Sequence, residues 1–328
     1  VAVVDVPMPA YGDYECLVRI TACGLCSGTD LKLIDNAIAD LKIQYPTVLG
    51  HEAVGVIVAA GEKVRSFRVG DRVVSPAGRV MPGCGFHSNW AHMAEYGVAI
   101  DLPAMAEDGL SAARGADLDN FATRRIPDAI SDIDAVMLLT FKENYSALRN
   151  FGLRPGMDLL IYGDGAVALG LAIMAREMGA GRVGCVGHHD ERLARIADRT
   201  PLDFAINARR ERVPDAVGGA RFDIVIDGVG SVDVVYEGAR LLKPGGRVGL
   251  YGVLKRAKAD VNLIDLPNNA LLQTLNWPYR EHASHDAVVE LVLRGALNPK
   301  DFYSHVMPLD QAPAAVSVHS SMLPTSSA

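Results

Sequence analysis

Residues 157–170 of this 328-residue chain set the strongest constraint on its fold. Met157-Asp158-Leu159-Leu160-Ile161-Tyr162 reads as a buried strand, and it feeds at once into Gly163-Asp164-Gly165-Ala166-Val167-Ala168-Leu169-Gly170. A helix is expected over 171–179, ending at Gly179. The alternation then repeats. Residues 182–186 read as a strand, 190–199 as a helix, 200–208 as holding a third short strand and 221–228 as a fourth. Residues 232–242 read as a helix stopped by Lys243-Pro244-Gly245, and 246–252 as a further strand. Strands alternating with helices predict a parallel, doubly wound α/β sheet.

The turn carries chemistry of its own. In Gly163-x-Gly165-x-x-Ala168 the two glycines let the backbone turn and approach a pyrophosphate, and the small third residue lets the helix pack close to the sheet. Free N–H groups at the helix start, Ala166, Val167 and Ala168, then face the phosphates along the positive end of the helix. With 32 glycines in the chain, such a triplet arises easily by chance. Its place between a strand and a helix marks it as a dinucleotide turn, against the plainer reading of a glycine-packed helix in some other α/β protein.

The first hundred residues have a different texture, with short β segments broken by Gly and Pro. Residues 15–22 alternate as a half-buried strand does, and Cys23-Gly24-Leu25-Cys26-Ser27-Gly28-Thr29-Asp30-Leu31 follows as a polar turn opening a short helix, with Asp30 near its N-terminus. Residues 46–57, Pro-Thr-Val-Leu-Gly-His-Glu-Ala-Val-Gly-Val-Ile, set His51 and Glu52 between a glycine turn and an apolar β-branched run. Burying two ionisable groups costs several kcal/mol unless something pairs with or coordinates them. Gly50-His51-Glu52 with Gly55, Gly61 and Gly70-Asp71-Arg72-Val73 resembles the medium-chain, zinc-type alcohol and polyol dehydrogenases. The resemblance covers the chain except about residues 76–120.

That resemblance implies a Rossmann domain inserted into a discontinuous, β-rich, GroES-like catalytic domain: 1–138 catalytic, 139–277 dinucleotide-binding, and 278–328 returning to complete the first. One helix is expected at 286–294 in the return segment, then a strand at 301–307. It also implies one catalytic zinc on Cys26 and His51, with Asp30 orienting His51 and Thr29 relaying a proton. Two departures stand out. An extra residue near Ser27 leaves a choice between Ser27 and Cys26 as ligand, and the thiolate of Cys26 is the better one. The third ligand position falls on Leu139, so Glu52 is the expected substitute and Glu143 a remoter one. Cys23-x-x-Cys26 also permits a redox dithiol, although it lacks the strand-to-long-helix setting of that motif. The family's structural zinc needs four close cysteines near 80–100, and only Cys84 is present, so that site is expected to be absent. Cys84, His87 and His92 form a second, weaker metal candidate beside the plainer reading of a substrate-facing loop. Residues 104–120 read as an insertion of no legible role.

On the cofactor side, the family's ribose-binding acidic residue falls on Gly187, with His188, His189 and Arg192 beside it. A missing carboxylate with an added guanidinium predicts NADP(H) over NAD(H), unless Asp190 shifts inward to take the ribose. Asp227, Gly228 and Val229, with Tyr251 and Gly252, are implied to lie at the nicotinamide side. The function implied is hydride transfer between NADP(H) and an alcohol or polyol. The alternatives are a zinc-free NADPH-dependent enone or quinone reductase of the same superfamily and a non-catalytic NADP(H) sensor.

Composition narrows the setting. The chain is 49% hydrophobic and 22% charged, with a net charge of −7 and scattered basic residues, which argues against nucleic acid or an anionic membrane as partner. No run of about 18 apolar residues lacks a charge. No signal segment is apparent, and the opening on Val1 in mid-pattern suggests a native start further upstream. Five widely spaced cysteines predict no disulfide framework and a cytoplasmic setting. The stretch near Leu275-Asn276-Trp277 resembles the family's dimer-forming edge, which implies a homodimer or homotetramer.

Overall fold

The structure is a computed structural model that describes all residues except 27, 37–42, 89, 111–122, 253–259, 276–279 and 322–328. The chain divides into two compact units. One comprises Val1–Leu139, His285–Leu293 and Asn298–Ala328, the other Thr140–Ser284 and Arg294–Leu297.

The first unit is built on β1 (Glu15–Gly24), followed by the short helix α1 (Asp30–Ile34), β2 (Thr47–Val48), β3 (Glu52–Ala60), β4 (Arg72–Val74), β5 (His87–Ser88) and β6 (Tyr96–Ile100). After α2 (Leu102–Glu107) come β7 (Arg124–Arg125) and α3 (Asp132–Ala135). Five of these strands form an antiparallel sheet in the order β6-β1-β3-β4-β7, and β2 pairs with β5. The period-two pattern of β1 sends Cys16 and Val18 inward, where they pack with Ile57, Val73 and Ala99. The expected insertion at 104–120 begins inside α2, which Asp101 caps through Ala104 N; residues 111–120 lie outside the described residues.

Helix α4 (Leu138–Asn150) leads into the second unit, which holds β8 (Leu159–Tyr162), α5 (Ala166–Glu177), β9 (Val183–Gly187), α6 (Asp190–Arg199) and β10 (Phe204–Asn207). It continues with α7 (Val213–Ala216), β11 (Phe222–Asp227), α8 (Val232–Arg240), β12 (Leu242–Leu250) and β13 (Leu271–Thr274). All pairings in this sheet are parallel, in the order β10-β9-β8-β11-β12-β13. The sheet is doubly wound, with its order reversing between β8 and β11, where such folds place ligands beyond the strands' carboxyl ends. Every residue of β8 is buried, as a strand covered on both faces requires.

Three local expectations change. Helix α5 starts at Ala166, directly on the glycine turn, rather than at residue 171. Lys243-Pro244-Gly245 lies inside β12 rather than ending a helix; α8 already stops at Arg240, and the β11–β12 register shifts between Phe222 and Ile224. Residues 301–307 form no strand. A strand needs a neighbour to complete its backbone ladder, and no described strand pairs with this segment; Tyr303 instead donates its hydroxyl to Asp134 at 2.9 Å. The remaining α-helices among the described residues are α9 (His285–Leu293) and α10 (Ala312–Ser321). No described helix is long and apolar enough to cross a membrane.

Candidate metal centre and dinucleotide turn

The turn after β1 and the start of β3 bring three donor atoms together. Cys26 Sγ, a ring nitrogen of His51 and a carboxylate oxygen of Glu52 all lie within 4.8 Å of one another. Ligands on a tetrahedral zinc stand roughly 3.5 Å apart, so a shift of about an ångström seats all three on one ion. His51 Nε2 is already 3.7 Å from Glu52 Oε1. Its other nitrogen, Nδ1, faces Asp30 Oδ1 at 3.4 Å, close enough to orient the ring but not aligned as a hydrogen bond, and it is otherwise unpartnered. The Trp90 ring lies 5.6 Å from the imidazole.

Asp30 is completely buried at the start of α1, and its carboxylate ties the site together. Oδ2 accepts from the backbone N–H of Cys26 at 2.9 Å, and Oδ1 from that of Gly50 at 3.1 Å. One side chain therefore fixes the turn that carries Cys26 against the turn that carries His51. Burial alone would pull the imidazolium pKa down, but Asp30, Cys26 and Glu52 overrule it and hold it well above the usual histidine value. Burial raises the Cys26 thiol. Such a donor set, two acidic groups and an imidazole crowded out of water, fits a divalent cation, which would take the thiol as thiolate.

Glu52 owes its place to a residue that the motif does not name. The β1–β3 register sets Gly24 opposite Glu52, and a Cβ on Gly24 would stand 2.5 Å from Glu52 Oε2. Leu139, at the family's third-ligand position, is fully buried and offers no donor. Glu143 does not join the three-residue group, and Cys84, His87 and His92 form no such group among the described residues. His87 is exposed in β5, whereas His92 is buried and its pKa is pulled down to about 4 by burial and by the charge on His51. The dithiol reading loses ground, because burial lifts Cys23 well above the ordinary thiol value as it lifts Cys26, and redox thiols need the opposite. All five cysteines are free. Thr29 sits half-buried as the N-cap of α1, and Ser27 lies outside the described residues.

In the second unit the residues expected from sequence to meet the cofactor lie at the carboxyl ends of β8, β9, β11 and β12. Gly163 has φ +146°, and a Cβ on Gly165 would meet nothing within 4 Å, leaving open space at the start of α5. Gly165 is the N-cap of α5 and makes no side-chain cap, so the first N–H groups of this 12-residue helix are left for an anion. Ala168 is buried beneath the turn. These features fit a dinucleotide pyrophosphate.

Asp227 is fully buried, and its carboxylate accepts from the N–H groups of Val229, Gly230 and Ser231, each at 2.9 Å. It shapes the Gly228–Val229 turn from beneath, and burial raises its pKa despite these bonds. The N–H groups of Tyr251 and Gly252 both donate to Asp227 O, which brings the end of β12 against the same turn. Residue 253 lies outside the described residues.

The end of β9 is not free of carboxylate, as the expectation of NADP(H) requires. Asp164, from the middle of the glycine turn, reaches into the space that Gly187 leaves. A Cβ on Gly187 would lie 2.5 Å from Asp164 Cβ and 2.6 Å from its Oδ2. Oδ2 accepts from His188 N at 2.8 Å and His189 N at 3.0 Å and sits 2.9 Å from His189 Nδ1; Arg192 Nη1 is 3.6 Å from Oδ1. Asp190 does not turn inward: its carboxylate is held by Asn207 Nδ2 at 2.5 Å and by Arg210. Sequence reasoning missed Asp164 because it is the variable residue of the glycine motif.

Residues 12–109 match the family model of the alcohol dehydrogenase GroES-like domain, and residues 166–280 that of the zinc-binding dehydrogenases. An L-threonine 3-dehydrogenase of Anaeromyxobacter dehalogenans (strain 2CP-C) is 31% identical over 262 residues, 76% of this chain and 72% of that protein. One of Edwardsiella ictaluri (strain 93-146) is 29% identical over 260 residues, 76% of this chain and 73% of its own. Among solved structures, the alcohol dehydrogenase of Thermus sp. ATN1 superposes with a TM-score of 0.75 at 25% identity, over 97% of this chain and 92% of that one. An alcohol dehydrogenase zinc-binding domain protein of Burkholderia ambifaria gives a TM-score of 0.79 at 23% identity, over 96% and 90%.

Proposed function

Because the chain belongs to the medium-chain, zinc-type alcohol dehydrogenase superfamily, we propose that it is a zinc-dependent oxidoreductase that interconverts an alcohol or polyol and its carbonyl product with a nicotinamide dinucleotide. The observation that carries this reading is the buried Cys26–His51–Glu52 group with Asp30 behind the imidazole. A zinc ion held there supplies Lewis acidity toward a substrate oxygen, and a bound nicotinamide supplies or accepts the hydride. The chain's own part is positional. Asp30 fixes both ligand-bearing turns and the His51 ring, and Thr29, at the same helix start, is the proposed proton relay. In the second unit the Gly163–Ala168 turn takes the pyrophosphate, and Asp227 holds the Val229 turn on the nicotinamide side.

Metal analysis tests the reading. The full chain is expected to carry one zinc, which Cys26→Ala and His51→Ala lose and which Asp30→Asn binds on the order of 10–100-fold more weakly. Turnover is screened on simple alcohols, polyols and, because the relatives bear that name, L-threonine. Full activity in both alanine variants would instead overturn the zinc reading and favour the zinc-free reductase, and cofactor binding with no turnover across alcohols, aldehydes and enones would favour the sensor.

We further propose that the protein works in the cytoplasm, in keeping with its five unpaired thiols, and assembles as a homodimer or homotetramer. The support for assembly is β13, the edge strand of the six-stranded sheet, on which Leu271 and Leu272 are exposed. Asn276 and Trp277 of the edge expected from sequence lie outside the described residues.

A further inference from the structure

Resting on the dinucleotide reading of the second unit, we propose that Asp164 is the residue that sets cofactor preference, binding the adenosine ribose of NAD(H) and excluding the 2′-phosphate of NADP(H). The sequence pattern at β9 points the other way only while Gly187 is taken as an empty acidic position. In the structure Gly187 is small because Asp164 fills the space that any Cβ there would need. The carboxylate reaches the end of β9 from the neighbouring turn instead of from β9 itself.

The donors are what make this a discriminating site. A 2′-phosphate at the end of β9 would look to the N–H groups of His188 and His189, to the His189 ring and to Arg192. The first three already converge on Asp164 Oδ2, at 2.8, 3.0 and 2.9 Å, and Arg192 faces Oδ1. An internal carboxylate thus occupies the anion nest, and its pKa is held below the usual carboxylate value because these hydrogen bonds outweigh burial. A phosphate arriving there meets a like charge and finds its donors spent. A ribose hydroxyl is a donor, and Oδ1, engaged among the described residues only by the loose 3.6 Å Arg192 contact, is left to accept from it. Of the two acidic residues in the first turn of α6, Asp190 is tied to Asn207 and Arg210, and Glu191 is exposed.

The test is binding, read by titrating the intact chain with NADH and with NADPH and following nicotinamide fluorescence. Wild type is expected to bind NADH at least tenfold more tightly. Asp164→Ser, which empties the nest, and Asp164→Asn, which keeps an acceptor for the two N–H groups but removes the charge, should each shift the NADPH-to-NADH affinity ratio at least tenfold toward NADPH. An unchanged ratio in both variants, or a wild type that prefers NADPH, overturns the proposal. Wild type gives an arm that needs no variant: adenosine 2′,5′-bisphosphate should displace NADH at least tenfold less effectively than 5′-AMP, which lacks only the 2′-phosphate, and equal or reversed effectiveness also overturns it. A wild type that binds neither dinucleotide overturns the dinucleotide reading itself, whereas a wrong ratio leaves that reading standing and removes only the role of Asp164.

Discussion

The carboxylate of Glu52 lies over Gly24. The two residues are partners in the β1–β3 ladder, and a Cβ at position 24 would come within 2.5 Å of Glu52 Oε2, 2.9 Å of a Val136 methyl and 3.2 Å of Glu52 Cβ. Gly24 therefore keeps open the space in which Glu52 turns toward Cys26 and His51.

Gly24→Ala is expected to push Glu52 out of the group while leaving Cys26, His51 and Asp30 untouched. Zinc affinity should fall on the order of tenfold or more, measured by competition with a chromogenic chelator. Glu52→Gln should weaken zinc in the same way without the steric insult. If Gly24→Ala binds zinc like wild type, Glu52 is not held in place by this contact.

At the amino end of β8, Asp158 accepts from Arg182 N and Nη2 at 2.8 Å and pairs with Lys243 Nζ at 2.9 Å, which together hold its pKa well below the usual carboxylate range against the opposing effect of burial. A depressed pKa means that the folded state favours the charged form. Its contribution is complete above the unfolded value of about 4 and fades as pH falls below that toward the folded value. Asp158→Asn is expected to lower stability by about 2 kcal/mol at pH 7, read by urea unfolding, and the gap from wild type should shrink below about pH 4. A gap of constant size down to pH 3 would assign the loss to packing rather than charge.

The exposed pair Leu271 and Leu272 on the edge strand β13 leads to a third expectation. Light scattering should give a dimer or tetramer, and Leu272→Asp should shift it toward smaller species, because a charge on a sheet edge opposes strand addition. A monomeric wild type would remove the assembly proposal.

Much of the second unit is legible in the sequence because its signals are local. Continuous apolar runs mark β8, β9 and β11, the glycine turn marks the start of α5, and 190–199 is a helix in both readings. The misreadings arose where a partner decides the conformation. Residues 301–307 have strand composition and no described strand to pair with, and Lys243-Pro244-Gly245 breaks a helix by propensity yet lies within β12 beside β11.

The site divides in the same way. Cys26, His51 and Asp30 are legible through the family resemblance that the Gly50-His51-Glu52 run carries, and the glycine turn through its spacing between a strand and a helix. Sequence by itself thus determined the parallel sheet, the family and the identity of the candidate ligands. Only the tertiary structure decided that Glu52 has room beside Gly24 and that Asp164 fills the gap at Gly187. The reason is physical: each pair is separated by more than twenty residues and meets across neighbouring strands, so its contact depends on ladder register and close approach of backbones, which no local periodicity encodes.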